Sequence, residues 1–421
     1  MQIYFELFTI HSSLFTQKNC IYPNFFVPLH PICEKEYSRM KGALEYTEQG
    51  WRVATDTTRH HRSKRWDYKG EGIYHITMTV AERYPLFGEL VGDSPEQARI
   101  ALTPFGKSIN HMVRDLPSFY APKGIEIKVL AAQVMPDHIH LVLQVLEPME
   151  RPVGEIVRSF KSAATSLYKR EYNNNATNGG NNAAKWNASH QNENPQHQKG
   201  VAFARIFAST SSLWQPNPAG YHDRFLYERG QLRNMIDYVH DNPRRLWLKR
   251  ANPDLFRIHQ QTSIAGVACT TLGNKFLAER PQRAVLQCSR KLTQAEIDTR
   301  KNECLDDAAN GTVFITAAIS EGEKQIARAL REAGYPLIVL LEKGFPKPDD
   351  PHYKFFKPSG VYFEACAAEK LLLVEPHPDL FELPEVVALV TAKAGDIPHD
   401  SLRYRFLALN AIAQLICSIN I

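Results

Sequence analysis

The sequence is poor in the features that define several common functional classes. Seven cysteines (Cys20, Cys33, Cys269, Cys288, Cys304, Cys366, Cys417) are scattered over 421 residues, and no two stand as Cys-x-x-Cys. An odd, dispersed set argues against a disulfide framework and a thiolate zinc site, and for a reducing compartment. No apolar run approaches the ~18–20 residues of a membrane span. The first ten residues lack a basic flank and a small-residue cleavage site, so no signal peptide is expected and the expected location is cytoplasmic. A glycine-rich G-x-G-x-x-G fingerprint is also missing. What remains is an ordinary globular composition, 43% hydrophobic and 23% charged, in a chain longer than one core usually spans. Two domains are expected.

The formal charge of +5 is compatible with a polyanionic partner, and its distribution says more than its size. Arg59, Arg62, Lys64 and Arg65 fall within seven residues, and Arg244, Arg245, Lys249 and Arg250 form a second group. Each group is either a phosphate-contacting patch or a solvated face. Residues 1–70 show no sustained period and are expected to form a poorly ordered basic extension; Met40 is an alternative start.

Periodicity begins at Gly72. Alternation over Gly72–Val80 predicts a strand. Ser94-Pro-Glu-Gln97 has the pattern of a helix N-terminus, expected to run to about Leu116. Ile125–Val134 and Asp137–Val145 read as strands paired in a hairpin through Met135-Pro-Asp137. Val153, Ile156, Val157, Phe160, Ala164 and Leu167 give a helix from about Pro152 to Tyr172. Residues 173–200 are dominated by Asn, Gln and Gly, a composition that builds no core, and are expected to be a disordered surface insertion. Tyr221–Tyr227 predicts a strand, and Gln231–Asn242 a short helix stopped by Pro243. After Asn252 short apolar strands (284–288, 312–316, 336–341, 371–374) alternate with helices capped at Thr293 and Ser320, implying a parallel α/β sheet closed by a helix over 400–417.

The segment Met135-Pro-Asp-His-Ile-His-Leu-Val-Leu143 carries the chemistry. On a strand His138 and His140 share a face, roughly 7 Å apart along it, within reach of one cation, while Ile139, Leu141, Leu143 and Val145 face the other way. Two polar histidines on a half-exposed strand, or a zinc hydrolase, fit this pair as well. Gln231–Pro243 offers partners for it. Leu232, Met235, Ile236 and Val239 form the buried stripe of a helix, which puts Tyr238 and Asn242 together on its flank. There the phenol is a candidate nucleophile and the amide oxygen a candidate third ligand; a packing tyrosine and a helix-ending asparagine are the alternative. Tyr221 and Tyr227 are rival nucleophiles.

Taken in order, Pro136-Asp-His-Ile-His-Leu141, Trp214-Gln215, Tyr221-His-Asp-Arg224 and Asp237-Tyr-Val-His-Asp-Asn-Pro243 resemble the REP-associated tyrosine transposases, a branch of the single-tyrosine HUH transposases. The resemblance covers about residues 70–250. It implies an α+β, ferredoxin-like HUH nuclease domain with a mainly antiparallel sheet over residues 71–250. It further implies that His138, His140 and Asn242 bind Mg²⁺ or Mn²⁺, and that Tyr238 cuts single-stranded or hairpin DNA through a 5′-phosphotyrosine. Lys161, Trp214, Arg244 and Arg245 are the expected DNA contacts, and the expected place is nucleoid-associated cytoplasm; a monomer and a homodimer both fit. The basic extension, the Asn-rich insertion and the large second domain depart from that family. Residues 255–421, with Ile315-Thr-Ala-Ala-Ile-Ser-Glu-Gly-Glu323 and the strands that follow, resemble the Rossmann-like core of the DNA-processing protein A family. There the N–H groups opened by Ser320 and Gly322 are expected to be able to hold a phosphate. A DNA-binding protein that no longer cuts, and a metal-dependent hydrolase of small substrates, are the competing functions.

Overall fold

The structure is a computed structural model, which describes residues 67–172, 203, 207, 212–215, 221, 223–226, 230–264, 266–342, 344–345 and 362–418, and the backbone of 44–47, 50–53, 173, 222 and 360–361. The Asn-rich insertion, apart from Asn173, and the Arg59–Arg65 cluster lie outside these residues. Within the N-terminal extension, β1 (Leu44–Thr47) and β2 (Gly50–Val53) pair antiparallel, a hairpin that the aperiodic sequence did not announce.

The first large unit contains β3 (Gly72–Thr79), β4 (Gly88–Val91), β5 (Arg99–Leu102), α1 (Pro104–Arg114), α2 (Leu116–Tyr120), β6 (Ile127–Val134), β7 (His138–Val145), α3 (Gly154–Tyr168), β8 (His222–Phe225) and α4 (Gln231–Ala251). β4 and β5 form their own hairpin. The main sheet has the order β6-β7-β3-β8, and every neighbouring pair is antiparallel. Together with α1 and α3 this is the β-α-β-β-α-β split-βαβ arrangement. Strand alternation divides the two faces. Tyr74, Ile76 and Met78 of β3 join Ile139, Leu141, Leu143 and Val145 of β7 in a core with Phe105, Ile109 and Val113 of α1 and Ile156, Val157 and Phe160 of α3. On the opposite face Ile73, Ala131 and Val142 pack under Leu232, Met235, Ile236, Tyr238 and Val239 of α4. Both faces are covered, and the histidines lie on the α4 side.

Two local expectations fail for identifiable reasons. No helix opens at Ser94: Gln97 N–H donates to the Ser94 carbonyl at 3.2 Å in a turn between β4 and β5. The helix starts ten residues later, where the Thr103 hydroxyl accepts from Gly106 N–H at 2.9 Å and Pro104 occupies the first turn. Nor does Pro243 stop α4, which continues to Ala251. Proline deprives the Val239 carbonyl of its helical donor. The Asn242 amide bridges the gap, donating to the Tyr238 carbonyl at 2.8 Å and more weakly to Val239 at 3.5 Å.

The second unit follows the short 3₁₀ turn Pro253–Phe256. It comprises β9 (His259–Ile264), β10 (Val267–Gly273), β11 (Arg283–Val285), α5 (Gln294–Ala309), β12 (Val313–Thr316), α6 (Glu321–Glu332), β13 (Leu337–Leu340), α7 (Gly360–Ala367), β14 (Leu371–Pro376), α8 (Pro384–Ala394) and α9 (Leu402–Ser418). The sheet order is β11-β12-β13-β14-β10-β9. β11 to β14 are parallel, but β10 and β9 run antiparallel, so the sheet is mixed rather than parallel throughout. Its four parallel strands follow sequence order and lack the strand-order reversal that creates a nucleotide crevice in doubly wound sheets. Residues of α5, α6 and α7 pack with Phe314, Leu337, Val339, Leu371 and Leu373 on one face. Residues of α8 and α9 pack with Val313, Ile315, Ile338, Leu340, Leu372 and Val374 on the other.

Both predicted capping boxes form, at Thr293/Glu296 and Ser320/Glu323. The second one changes the expectation of phosphate binding. Glu323 is only 2% exposed. Its carboxylate accepts from Ile319 N–H at 2.7 Å, Ser320 N–H at 3.2 Å and Cys288 N–H at 3.0 Å. Gly322 is buried, with Cys288 and Ile297 directly above its Cα. The protein's own carboxylate thus takes the Ser320 N–H, one of the two groups expected to hold a phosphate at this junction.

Candidate active site

β7 and β3 pair in a register that sets Thr77 opposite His140 and Thr79 opposite His138. Because cross-strand partners share a face, His75, Thr77, His138 and His140 all project beneath α4. The imidazole Nε2 atoms of His138 and His140 stand 3.1 Å apart. Two nitrogen ligands in cis positions around a cation at ~2.0–2.1 Å are separated by about 3 Å, so this spacing fits a shared divalent ion.

The far nitrogens are held as well. His138 Nδ1 lies 2.5 Å from Asp137 Oδ1, and Arg83 Nη1 reaches Asp137 Oδ2 at 3.3 Å. Burial alone would raise the Asp137 carboxyl, but the His138 and Arg83 contacts outweigh it and leave it below the usual value. His140 Nδ1 lies 3.1 Å from His75 Nε2 and 3.2 Å from Thr77 Oγ1, and the His75 and His140 rings stack at 5.2 Å. In the tautomer with both Nδ1 atoms protonated, Asp137 accepts from His138, and His75 or Thr77 accepts from His140. Both Nε2 lone pairs then converge on one point, as outer partners arrange for metal-bound imidazoles. Asp137 was read from sequence only as turn chemistry, and His75 and Thr77 as strand formers. Their role depends on cross-strand register, although the period-2 pattern of Gly72–Val80 already put His75 and Thr77 on one face.

α4 carries Tyr238 over this group. Its ring centroid is 5.5 Å from that of His140 and 6.2 Å from that of His75, edge-on to both. The phenol is half-buried. Burial raises its pKa, opposed by the Arg245 charge and by a hydrogen bond with the Asn242 side chain. Among the described residues no group of three His, Cys, Asp or Glu side chains forms a metal cluster. The Asn242 amide nitrogen donates to the Tyr238 carbonyl at 2.8 Å, and its amide oxygen has the hard character suited to Mg²⁺ or Mn²⁺. The structure brings together His138, His140 and Tyr238, with Asn242 one turn along the helix from the phenol. Tyr221 lies against the core of the opposite face; Tyr227 lies outside the described residues.

The four expected DNA contacts are placed differently. Trp214 is a core ring at 3% exposure whose indole N–H donates to the Lys161 carbonyl at 3.1 Å, so it has no open face for a base. The Lys161 ammonium lies 5.4 Å from that ring's centroid, and burial lowers its pKa to about 8. Arg244 is committed to Asp241 and Glu364, both at 2.5 Å. Arg245 is 8% exposed, with its guanidinium over the rings of Phe363 and Tyr238, so it is not a free surface cation. An exposed cation that was not singled out as a contact, Arg224, stands opposite His75 in the β3–β8 register, on the α4 face of the sheet.

No helix among the described residues is long and apolar enough to cross a membrane. An uncharacterized protein of Haemophilus influenzae is 23% identical over 135 residues, 26% of this chain and 70% of the relative. A candidate transposase of known structure from Deinococcus radiodurans R1 aligns with 43% of this chain and 96% of its own, at 16% identity. The TM-score of that alignment is 0.21, at which the likeness carries no structural argument. Residues 70–196 match the family described as IS200-like transposases, a span that includes His75, His138 and His140 and ends before Tyr238.

Proposed function

We propose that residues 71–250 form a tyrosine HUH transposase-type nuclease that cuts and rejoins single-stranded DNA, with hairpin-forming repeats as its targets. The observation that carries this reading is the placement of the Tyr238 ring 5.5 Å from His140, beside two imidazole nitrogens 3.1 Å apart. The IS200-like match supports the same chemistry for the histidine-bearing strands. A small-molecule hydrolase explains the imidazole pair but gives no task to the overlying phenol.

His138, His140 and Asn242 would hold a divalent ion, whose charge would polarise the scissile phosphate when bound. Tyr238 Oη attacks phosphorus as the P–O3′ bond breaks. The phenol loses its proton and the departing 3′ oxygen gains one, leaving a 3′-OH and a 5′-phosphotyrosine. Attack by another 3′-OH reverses these exchanges and joins strands without ATP. Asp137, His75 and Thr77 fix the imidazole tautomers, and Arg224 is placed to meet a DNA phosphate from the open side.

The test is to incubate full-length protein with labelled hairpin-bearing single strands and Mg²⁺ or Mn²⁺, then resolve covalent adducts on denaturing gels. Wild type is expected to form an adduct. Tyr238→Phe is expected to bind the strand and form none, and His138→Ala to lose metal-dependent cleavage. An adduct retained by the Phe variant would move the nucleophile elsewhere. DNA binding by wild type without any adduct would favour the non-cutting protein.

A further inference from the structure

α4 is the element shared by both units. Its first half lies on the histidine-bearing sheet, and its second half meets α7 of the C-terminal unit. At that meeting Phe363, fully buried, stacks on Phe256 with ring centroids 5.0 Å apart and planes 25° apart. Cys366 Sγ donates to the Leu255 carbonyl at 2.8 Å, tying α7 to the turn that follows α4. On this platform the Arg245 guanidinium carbon lies 3.6 Å from the Phe363 ring centroid, and Lys249 Nζ lies 5.3 Å from it. The same guanidinium carbon is 5.4 Å from the Tyr238 ring centroid. Glu364 secures the arrangement from the edge: its Oε1 is 2.5 Å from Arg244 Nη2 and 3.9 Å from Arg245 Nη1.

We propose, on the premise that Tyr238 is the nucleophile, that the C-terminal domain positions it: Phe363 and Glu364 hold Arg245 between the platform and the Tyr238 ring. A buried guanidinium is costly without partners. Here its nearest carboxylates, Asp241 and Glu364, stand 4.0 and 3.9 Å away, too far for hydrogen bonds of normal length. The aromatic faces are therefore its principal close partners, and cation–π attraction strengthens where water is excluded. Tyr238 and Arg245 are seven residues apart, two helical turns, so both project from one side of α4. A guanidinium fixed there restricts the phenol to a narrow arc above His140. Without the ring of Phe363, Arg245 can turn towards solvent and the phenol loses the wall against which it rests. Phe363 and Arg245 are positioning residues in this account; neither needs to touch DNA.

The experiment uses full-length protein and two independent readouts. In protein labelled with ¹³Cζ-tyrosine, the Tyr238 resonance is identified by its loss in Tyr238→Phe. Phe363→Leu keeps apolar volume but removes the ring, and is expected to shift that resonance. Phe363→Tyr restores a ring and is expected to return it towards the wild-type position. In single-turnover adduct formation, Phe363→Leu is expected to be about tenfold slower, equivalent to about 1.4 kcal/mol, with DNA affinity within twofold of wild type. Arg245→Ala is expected to slow the reaction similarly, and the double variant no further, since both act on one contact. An unmoved Tyr238 resonance in Phe363→Leu overturns the proposal, whatever the activity. A moved resonance with no adduct in wild type retains the positioning and removes the nuclease reading. A wild-type adduct with an unmoved resonance does the reverse. Glu364→Gln, at an exposed position, gives a smaller shift of the same sign if Phe363→Leu proves too unstable to study.

Discussion

Replacing His75 with phenylalanine is expected to weaken Mn²⁺ binding without disturbing the fold. Phenylalanine retains the ring that stacks 5.2 Å from His140 but deletes the Nε2 atom 3.1 Å from His140 Nδ1. Loss of an outer-shell partner commonly costs 10–100-fold in metal affinity. In this protein Thr77 Oγ1 remains 3.2 Å from the same nitrogen, so the single variant is expected near the lower limit, about tenfold. His75→Phe with Thr77→Val removes both of these contacts with His140 Nδ1. A loss of about 100-fold is expected for that pair, or roughly 2.7 kcal/mol. Isothermal titration of metal-free protein with Mn²⁺ at neutral pH measures the affinity, and thermal melting without metal checks that the fold persists. A double variant that binds Mn²⁺ within twofold of wild type, with an unchanged melting temperature, would refute the tautomer-setting role of both groups.

Three further outcomes are expected. Gly106→Ala places a Cβ against the Phe87 carbonyl where α1 meets the residue before β4, and is expected to cost about 1–3 kcal/mol, measured by urea unfolding. Burial lowers Lys161 to about 8 from its ordinary 10.5, so between these values the native state holds fewer protons than the unfolded chain and stability rises with pH. Lys161→Met is accordingly expected to be more stable than wild type near neutrality, with the difference shrinking towards pH 10.5 in pH-dependent melts. Glu323→Gln leaves part of the N–H set around Ile319, Ser320 and Cys288 unpaired and is expected to lower stability by about 2–3 kcal/mol. For the same reason inorganic phosphate is expected to leave the wild-type melting temperature unchanged, and a saturable rise would contradict the self-filled junction.

The legible parts of the sequence were those governed by short-range alternation. The shared face of His138 and His140 was legible because a strand has one period and β7 has an unbroken apolar face at Ile139, Leu141, Leu143 and Val145. The hairpin through Pro136 and both capping boxes of the second unit were legible for the same reason: each is complete within a few residues. Tyr238 and Asn242 were likewise placed together by helical spacing alone. Where distant contacts decide, local sequence misleads. Pro243 looked like a helix stop because its ring removes a donor, but the Asn242 amide and the packing of Arg245 on Phe363 sustain the helix beyond it. Trp214 and Arg245 looked like surface contacts because their types are common at nucleic-acid interfaces, yet tertiary packing buries them. His75 was invisible as a partner of His140 because the two are 65 residues apart. The Glu323 side chain closing back on Ile319, Ser320 and Cys288 was not legible, because Cys288 lies 35 residues away and meets it only in the folded junction.

The one-directional strand sequence β11 to β14 has an outcome for how this protein tolerates damage at its end. Crossovers that always step the same way, each right-handed, deposit their helices on the same side, so α5, α6 and α7 cannot shield both surfaces. The opposite surface waits for α8 and α9, which emerge only after the last strand is complete. A premature stop anywhere before Leu402 would strip Ile315, Ile338, Leu372 and Val374 of much of their cover, exposing apolar surface. During synthesis that plane, partly covered by Leu277 and Ala278, gains the rest of its cover only when α8 and α9 are made.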